Sequence, residues 1–217
     1  MHTYSSQGIL VTFEGIDGSG KTSAAHALYT YLKGRCPAIL TREPGGTEFG
    51  KILRTLLQGR TFELDPKAEY LLFAADRTQH MQELVLPALN EGKIVISDRM
   101  ADSSYAYQGY GRGVTPAMIH AINQWAMQGR EPDVTVYVMI SYAEARKRLG
   151  TRNEQKTVFE REQEEFFERV AQGFEAAFAL RSPESIIMRV DGHQEQEQVH
   201  TEIIRLIEQY LTQRGLL

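Results

Sequence analysis

The chain has almost no cysteine: Cys36 is the single one in 217 residues. An internal disulfide is therefore excluded, and a reducing compartment is expected. Nothing near Cys36 resembles a Cys-His pair, so an inert, partly buried thiol is its expected state. A basic excess is missing too. Lysine and arginine number 24 against 28 aspartate and glutamate, a net charge of −4. That argues against a general nucleic-acid surface, though it leaves room for a small basic pocket for a phosphorylated ligand. No apolar run approaches the length of a membrane span, and Met1 to Gly8 lacks the charged-then-apolar pattern of a signal peptide. The expected location is cytoplasmic. Repeats, low-complexity linkers and composition breaks are also lacking. A single domain over 1–217 is expected, long enough to bury one core.

What is present is an alternation. Short apolar runs at Ile9–Phe13, Ala38–Thr41, Ile94–Ser97, Val134–Ile140 and Ser185–Val190 are separated by longer amphipathic segments. Continuous apolar strands between helical segments imply a parallel sheet covered on both faces. Gly34, Pro44-Gly45-Gly46, Gly92, Gly113 and Gly192 punctuate the elements.

The first of these strands leads into Gly15-Ile16-Asp17-Gly18-Ser19-Gly20-Lys21-Thr22, and a helix-forming segment follows. This is the phosphate-binding pattern G-x-x-x-x-G-K-[ST] in the strand–loop–helix setting it requires. Its glycines let the backbone wrap phosphate oxygens, so that successive N–H groups and the positive helix end face the anion. Lys21 supplies a charge for the terminal phosphates, and the Thr22 hydroxyl is a hard ligand for Mg²⁺. The expected fold is thus α/β of the P-loop NTPase type: a five-stranded parallel sheet flanked by helices. The loop implies that a nucleoside triphosphate binds, not what is done with it.

Asp98-Arg99 follows the third strand, at the sheet edge where ligands of open α/β folds bind. Asp98 is placed to hold Mg²⁺ and Arg99 to reach a phosphate between donor and acceptor, although Asp98 could instead cap a helix and pair with Arg99. Thr41-Arg42-Glu43-Pro44-Gly45-Gly46-Thr47 forms a turn at the same edge, with Thr47 as a helix cap and Arg42 directed to the crevice, or only a turn. Phe73 and Arg77 lie four apart in the helical segment from Pro66 to Asn90. They can stack on and hydrogen-bond a flat base, or be a core aromatic and a solvated charge. Ser104, Tyr107 and Gln108 follow Asp98-Arg99 at helical spacing. From Arg146 to Arg169 the chain is densely charged, which reads either as a solvated helical hairpin or as mobile arginines that close over a phosphate donor.

These segments, in this order, resemble the thymidylate kinase family: Phe13-Glu14-Gly15 through Thr22, Arg42-Glu43-Pro44-Gly45-Gly46-Thr47, Asp98-Arg99 with Ser103-Ser104-Tyr105-Ala106-Tyr107-Gln108-Gly109, and the Arg130-Glu131-Pro132-Asp133 turn. The resemblance spans essentially the whole chain. It implies phosphorylation of dTMP by ATP with Mg²⁺, and a homodimer built on helix faces, for which Ile203, Ile204, Leu206, Ile207, Tyr210 and Leu211 offer an apolar stripe unless they pack on the sheet. It implies that Phe73 stacks on thymine, that Arg77 bonds the exocyclic oxygen of the base, and that Ser104 and Gln108 complete base recognition. Tyr107 would crowd the sugar's 2′ position. Asp17 would lie near the acceptor's 3′-hydroxyl and phosphate, and Arg99 would hold that phosphate. Where some family members carry an arginine inside the phosphate loop, Gly18 stands here, so the lid, about 146–160, would supply it. Arg152 is the first choice, with Arg148 and Lys156 as alternatives. A P-loop switch module without an acceptor, or a kinase for another nucleotide, is the competing reading.

Overall fold

The computed structural model describes residues 8–150 and 157–217. Five strands, β1 (Ile9–Glu14), β2 (Ala38–Arg42), β3 (Ile94–Asp98), β4 (Val134–Met139) and β5 (Ile186–Asp191), form one parallel sheet in the order β2-β3-β1-β4-β5. Each strand agrees with its sequence expectation to within one residue at either end. The extra residues at the ends of β1, β2 and β3 are the polar Glu14, Arg42 and Asp98. Asp98 pairs in register with both Phe13 and Arg42, so the ladder, not apolarity, decides where these strands stop. The edge strands depart from fully buried character: Ile186 of β5 is 37% exposed.

Side chains of the central strand alternate between two layers. Ile9, Val11 and Phe13 pack with Ala24, Leu28 and Leu32 of α1 (Lys21–Leu32) and with Val199, Ile203, Ile207 and Leu211 of α9 (Gln196–Gln213). The C-terminal apolar stripe is therefore part of the core, as amphipathic helices usually are. Leu10 points to the other face, where Met81, Val85, Val95 and Met100 meet it.

Three helices on that second face frame the ligand edge. α2 (Glu48–Gly59) starts at Thr47, whose hydroxyl accepts from the Gly50 N–H at 3.0 Å, as expected of a cap. α3 (Pro66–His80) starts at Asp65 with proline in its first turn, and runs on through a π-helical stretch, Met81–Val85, into α4 (Leu86–Asn90). After β3, α5 (Ala101–Ser104) widens into a second π-helical stretch, Tyr105–Gly111, which carries Tyr107 and Gln108; such bulges recur at functional sites. α6 (Pro116–Ala126) packs on α3, which also packs on α2. Along these three helices Phe49, Ile52, Leu56, Leu71, Met118 and Trp125 are exposed, Trp125 at 76%.

The charged region resolves into α7 (Tyr142–Gly150), a short turn at Phe159–Arg161 and α8 (Glu164–Phe178). α8 buries Phe166, Phe167, Phe174 and Phe178 against Tyr107 and Tyr137, with the Tyr137 and Phe174 ring centroids 5.1 Å apart. The charges lie on the outer face of a helix whose inner face is aromatic. Because Phe174 is fully buried, Phe174→Ala is expected to lower unfolding free energy by about 3–5 kcal/mol, read from the midpoint shift in urea denaturation.

Candidate active site

The loop between β1 and α1 has the backbone an anion cradle needs. Gly15, Gly18 and Gly20 all adopt positive φ, which glycine tolerates without strain. Gly20 caps α1 without a side chain, and no acidic residue occupies the first turn, so the helix N-terminus is open to a negative ligand. At Gly18 a Cβ would sit 2.7 Å from the Ala145 carbonyl oxygen of α7. No larger residue, arginine included, fits there in this conformation. Lys21 is buried, with Nζ 3.3 Å from the Ile16 carbonyl and 3.6 Å from Asp17 Oδ1. Burial, and then the Arg99 charge, press its pKa down.

The loops after β1 and β3 are joined by hydrogen bonds. Thr22 Oγ1 donates to Asp98 Oδ2 at 2.7 Å. Asp98 Oδ1 is buried and has no partner among the described residues. A hydroxyl and an under-used carboxylate side by side are hard oxygen donors of the kind Mg²⁺ takes together with phosphates and water. The described residues hold no group of three or more His, Cys, Asp or Glu side chains that would bind a metal unaided.

Arg99 holds the centre. It adopts φ 72°, unusual for a residue with a Cβ, and is fixed there from several sides. Its carbonyl accepts from Ser97 Oγ at 2.7 Å, and its N–H donates to the Phe13 carbonyl. The guanidinium bonds Asp17 Oδ1 at 2.6 Å, Ser103 Oγ at 2.9 Å and the Gly15 carbonyl at 3.1 Å, and lies 5.0 Å above the Tyr107 ring. Burial alone would raise the Asp17 pKa, but Arg99 and Lys21 outweigh it and hold the carboxyl at about 2. Tyr107 Oη meets the Asp17 N–H at 3.2 Å; burial, and then the Asp17 charge, raise the phenol's pKa. Beneath Arg99 lies Glu14, which had drawn no separate expectation. Its Oε1 accepts the Met100 N–H at 2.8 Å, Ser103 Oγ donates to its Oε2, and burial followed by the Asp102 charge lifts its pKa to about 7.

Farther along the cleft the groups turn aromatic and amide-like. Phe73 is half-buried, with its ring 6.1 Å from Phe159. Arg77 is neither solvated nor free. It is 1% exposed, and four of its five N–H groups are taken by Glu43 Oε2 (2.8 Å), Asn123 Oδ1 (2.7 Å), Ser104 Oγ (2.9 Å) and the Met100 carbonyl (3.2 Å). Glu43 also accepts from His80 Nδ1 at 2.9 Å, and His80 Nε2 meets Thr41 Oγ1 at 2.7 Å. Burial works against the Glu43 charge, but Arg77 and His80 prevail and lower its pKa. At neighbouring Asp76 the balance falls the other way: burial, then the Glu43 charge, outweigh the Gly45 N–H, His80 and Arg77 and push its pKa to about 6.

One cleft of about 450 Å³ unites these groups. Asp17, Gly18, Gly20, Lys21 and Thr22 line it on the loop side, Asp98 and Arg99 in the middle, and Phe73, Arg77, Ser104, Tyr107 and Gln108 on the far side. Gly15, Ile16 and Ser19 shape the loop from behind. Arg42 ends β2 half-buried and is not among the wall residues; Arg54 and Gln58 of α2 are. Arg54 Nη1 donates to the Pro44 carbonyl at 3.0 Å, and only its position on a helix next to a turn signalled it. Of the lid candidates, Arg148 donates to Glu144 Oε1 at 3.1 Å on α7, while Arg152 and Lys156 lie outside the described residues. Thr157, Phe159 and Glu160 line the cleft.

Comparison with known proteins agrees with this geometry. The family described as "Thymidylate kinase" matches residues 13–203. A thymidylate kinase of Thermoanaerobacter sp. (strain X514) is 40% identical over 206 residues, 94% of this chain and 100% of that one. That of Desulfovibrio desulfuricans is 41% identical over 215 residues, 95% and 98% of the two chains. The crystal structure of thymidylate kinase from Ehrlichia chaffeensis superposes with a TM-score of 0.74 at 33% identity, covering 93% of this chain and 99% of that one. With a match that runs from the phosphate loop into the last helix, the chain belongs to the thymidylate kinase family.

Proposed function

We propose that this protein transfers the γ-phosphoryl group of ATP to the phosphate of dTMP, giving ADP and dTDP. The observation that carries the reading is the continuity of the cleft. A glycine loop for a polyphosphate and an aromatic pocket with amide and guanidinium groups share one wall, with Arg99 between them. A nucleotide switch has no use for the second half.

In this reading Lys21 and the loop N–H groups hold the donor phosphates. Thr22 and Asp98 would hold Mg²⁺, which would supply charge neutralisation on the donor phosphates. Arg99 and Asp17 place the acceptor phosphate and the sugar hydroxyl. Phe73 stacks on thymine, Arg77, Ser104 and Gln108 read its edge, and Tyr107 packs at the 2′ carbon. An oxygen of the dTMP phosphate bonds to the γ-phosphorus as the bond to the bridging oxygen breaks. The acceptor is already ionised near neutral pH, so no general base is required and catalysis is positioning plus charge neutralisation. With Gly18 unable to carry a side chain in this conformation, we assign the donor-side arginine to the lid at about 146–160, with Arg152 first. The chain then acts as one nucleoside monophosphate kinase domain over 1–217. Among the described residues no helix is long and apolar enough to cross a membrane; we place the enzyme in the cytoplasm.

The exposed apolar face of α2, α3 and α6 supports a homodimer built on those helices, since the C-terminal stripe lies in the core. A surface with Ile52 and Trp125 this open is characteristic of an interface, and the occupant we assign is a second copy of the chain.

Three outcomes test these assignments. Turnover measured across dTMP, dUMP, UMP, AMP and thymidine should be fastest with dTMP; slow ATP hydrolysis without acceptor dependence would mean a switch instead. Arg99→Ala should raise the KM for dTMP by tenfold or more, whereas Arg152→Ala should lower kcat about a hundredfold with the dTMP KM nearly unchanged. Sedimentation should give a dimer for the wild-type chain and a monomer for Ile52→Asp.

A further inference from the structure

The same face of α3 that presents Phe73 and Arg77 carries Glu69 one turn earlier, at spacings of four and eight residues. Glu69 is 1% exposed and is not a wall residue of the cleft. Two guanidinium groups hold it in place: Arg60 Nη2 pairs with Oε2, and Arg112 Nε lies 3.8 Å from Oε1. Its Oε1 also accepts from Gln108 Nε2 at 3.0 Å. Gln108, in the π-helical stretch, is itself a wall residue.

An amide can present either a donor or an acceptor, and the two orientations have nearly the same shape. A carboxylate paired with arginines only accepts. It can face the amide nitrogen of Gln108 and not its oxygen. The acceptor Oε1 of Gln108 is therefore the atom left for a ligand in the cleft, and it has no hydrogen-bond partner among the described residues. Arg77, on the same side of the cleft, offers only donors.

We infer that Glu69 is a positioning residue that sets the pyrimidine specificity of this site by locking Gln108 with its carbonyl toward the base. The inference rests on the dTMP reading above. Thymine and uracil present an N3–H, which Gln108 Oε1 accepts, and an O4, to which Arg77 donates. Cytosine reverses both, with a bare N3 facing an oxygen and an amino group facing a guanidinium. Rejection by two like-with-like pairings is a repulsive form of specificity. Freed from Glu69, the Gln108 amide can turn over and donate to a bare N3, which removes one of the two barriers.

The test compares kcat/KM for dTMP, dUMP and dCMP in wild-type enzyme and Glu69→Gln. The neutral amide at 69 can face either end of Gln108, so the dTMP-to-dCMP preference should shrink by about tenfold. The dTMP-to-dUMP ratio should stay within twofold, because both bases carry the same N3–H. A folded variant whose dTMP-to-dCMP ratio lies within twofold of wild type overturns the inference, as does an equal loss on all three substrates. If Glu69→Gln does not fold, Glu69→Gln with Arg60→Gln replaces the buried ion pair by a neutral pair and is read in the same way. A third arm needs no substitution. N3-methylated dTMP lacks the donor, and a loss of less than about threefold against dTMP in wild-type enzyme overturns the inference by itself. Wild-type enzyme that does not prefer dTMP over dCMP overturns the substrate reading instead.

Discussion

The ion pair between Asp17 and Arg99 is the contact on which the rest of the site depends. It ties the loop after the central strand to the loop after its neighbour, at 2.6 Å and with both partners largely shielded. In water such a pair is worth little; here burial amplifies it, and the shift of the Asp17 carboxyl to about 2 is its signature. The same contact explains how Arg99 remains in a backbone region that non-glycine residues avoid. Strain of that kind persists only where the surroundings over-determine it, and Ser97, Phe13 and Glu14 each bond the short segment from Arg99 to Ser103. The guanidinium is thus aimed before any ligand arrives, so little ordering remains to be done on binding.

A second buried network serves the other end of the cleft by the same logic. Thr41, His80, Glu43 and Arg77 form a chain of hydrogen bonds reaching from β2 to the base-facing wall. Each charge in it has a partner, which is what makes its burial tolerable. Asp76, whose Oδ2 has no partner among the described residues, holds its proton more tightly, because burial and the Glu43 charge outweigh the Gly45 N–H at its other oxygen.

The sheet and the phosphate loop were legible because their signals are local. Apolar runs mark strands, and the glycines and Lys21-Thr22 sit at fixed offsets. Thr22 and Asp98 were also within reach, since both follow strands that a parallel sheet brings to one edge. The supporting side chains were not. Glu14 acts on Ser103 across 89 positions, Glu69 on Gln108 across 39, and Asn123 on Arg77 across 46. No periodicity announces such contacts. For Arg77 the choice between a ligand donor and a solvated charge missed a third state, a guanidinium consumed almost wholly by its own protein. Arg42 was expected at the crevice because it ends a strand, yet half-buried Arg42 is no wall residue and Arg54, from the following helix, is.

The close approach at Gly18 has a mechanical side. The loop tip rests against the carbonyl of Ala145, in the middle of the helix that leads into the charged segment, and protein interiors transmit displacement because they are packed like solids. The tip therefore works as a bearing surface for α7. A shift of the loop tip toward α7 would meet that carbonyl, and a tilt of the helix would press on the loop. The seat of the phosphate loop and that of α7 are in this way set by one contact, which exists only because the residue at the bearing has no side chain.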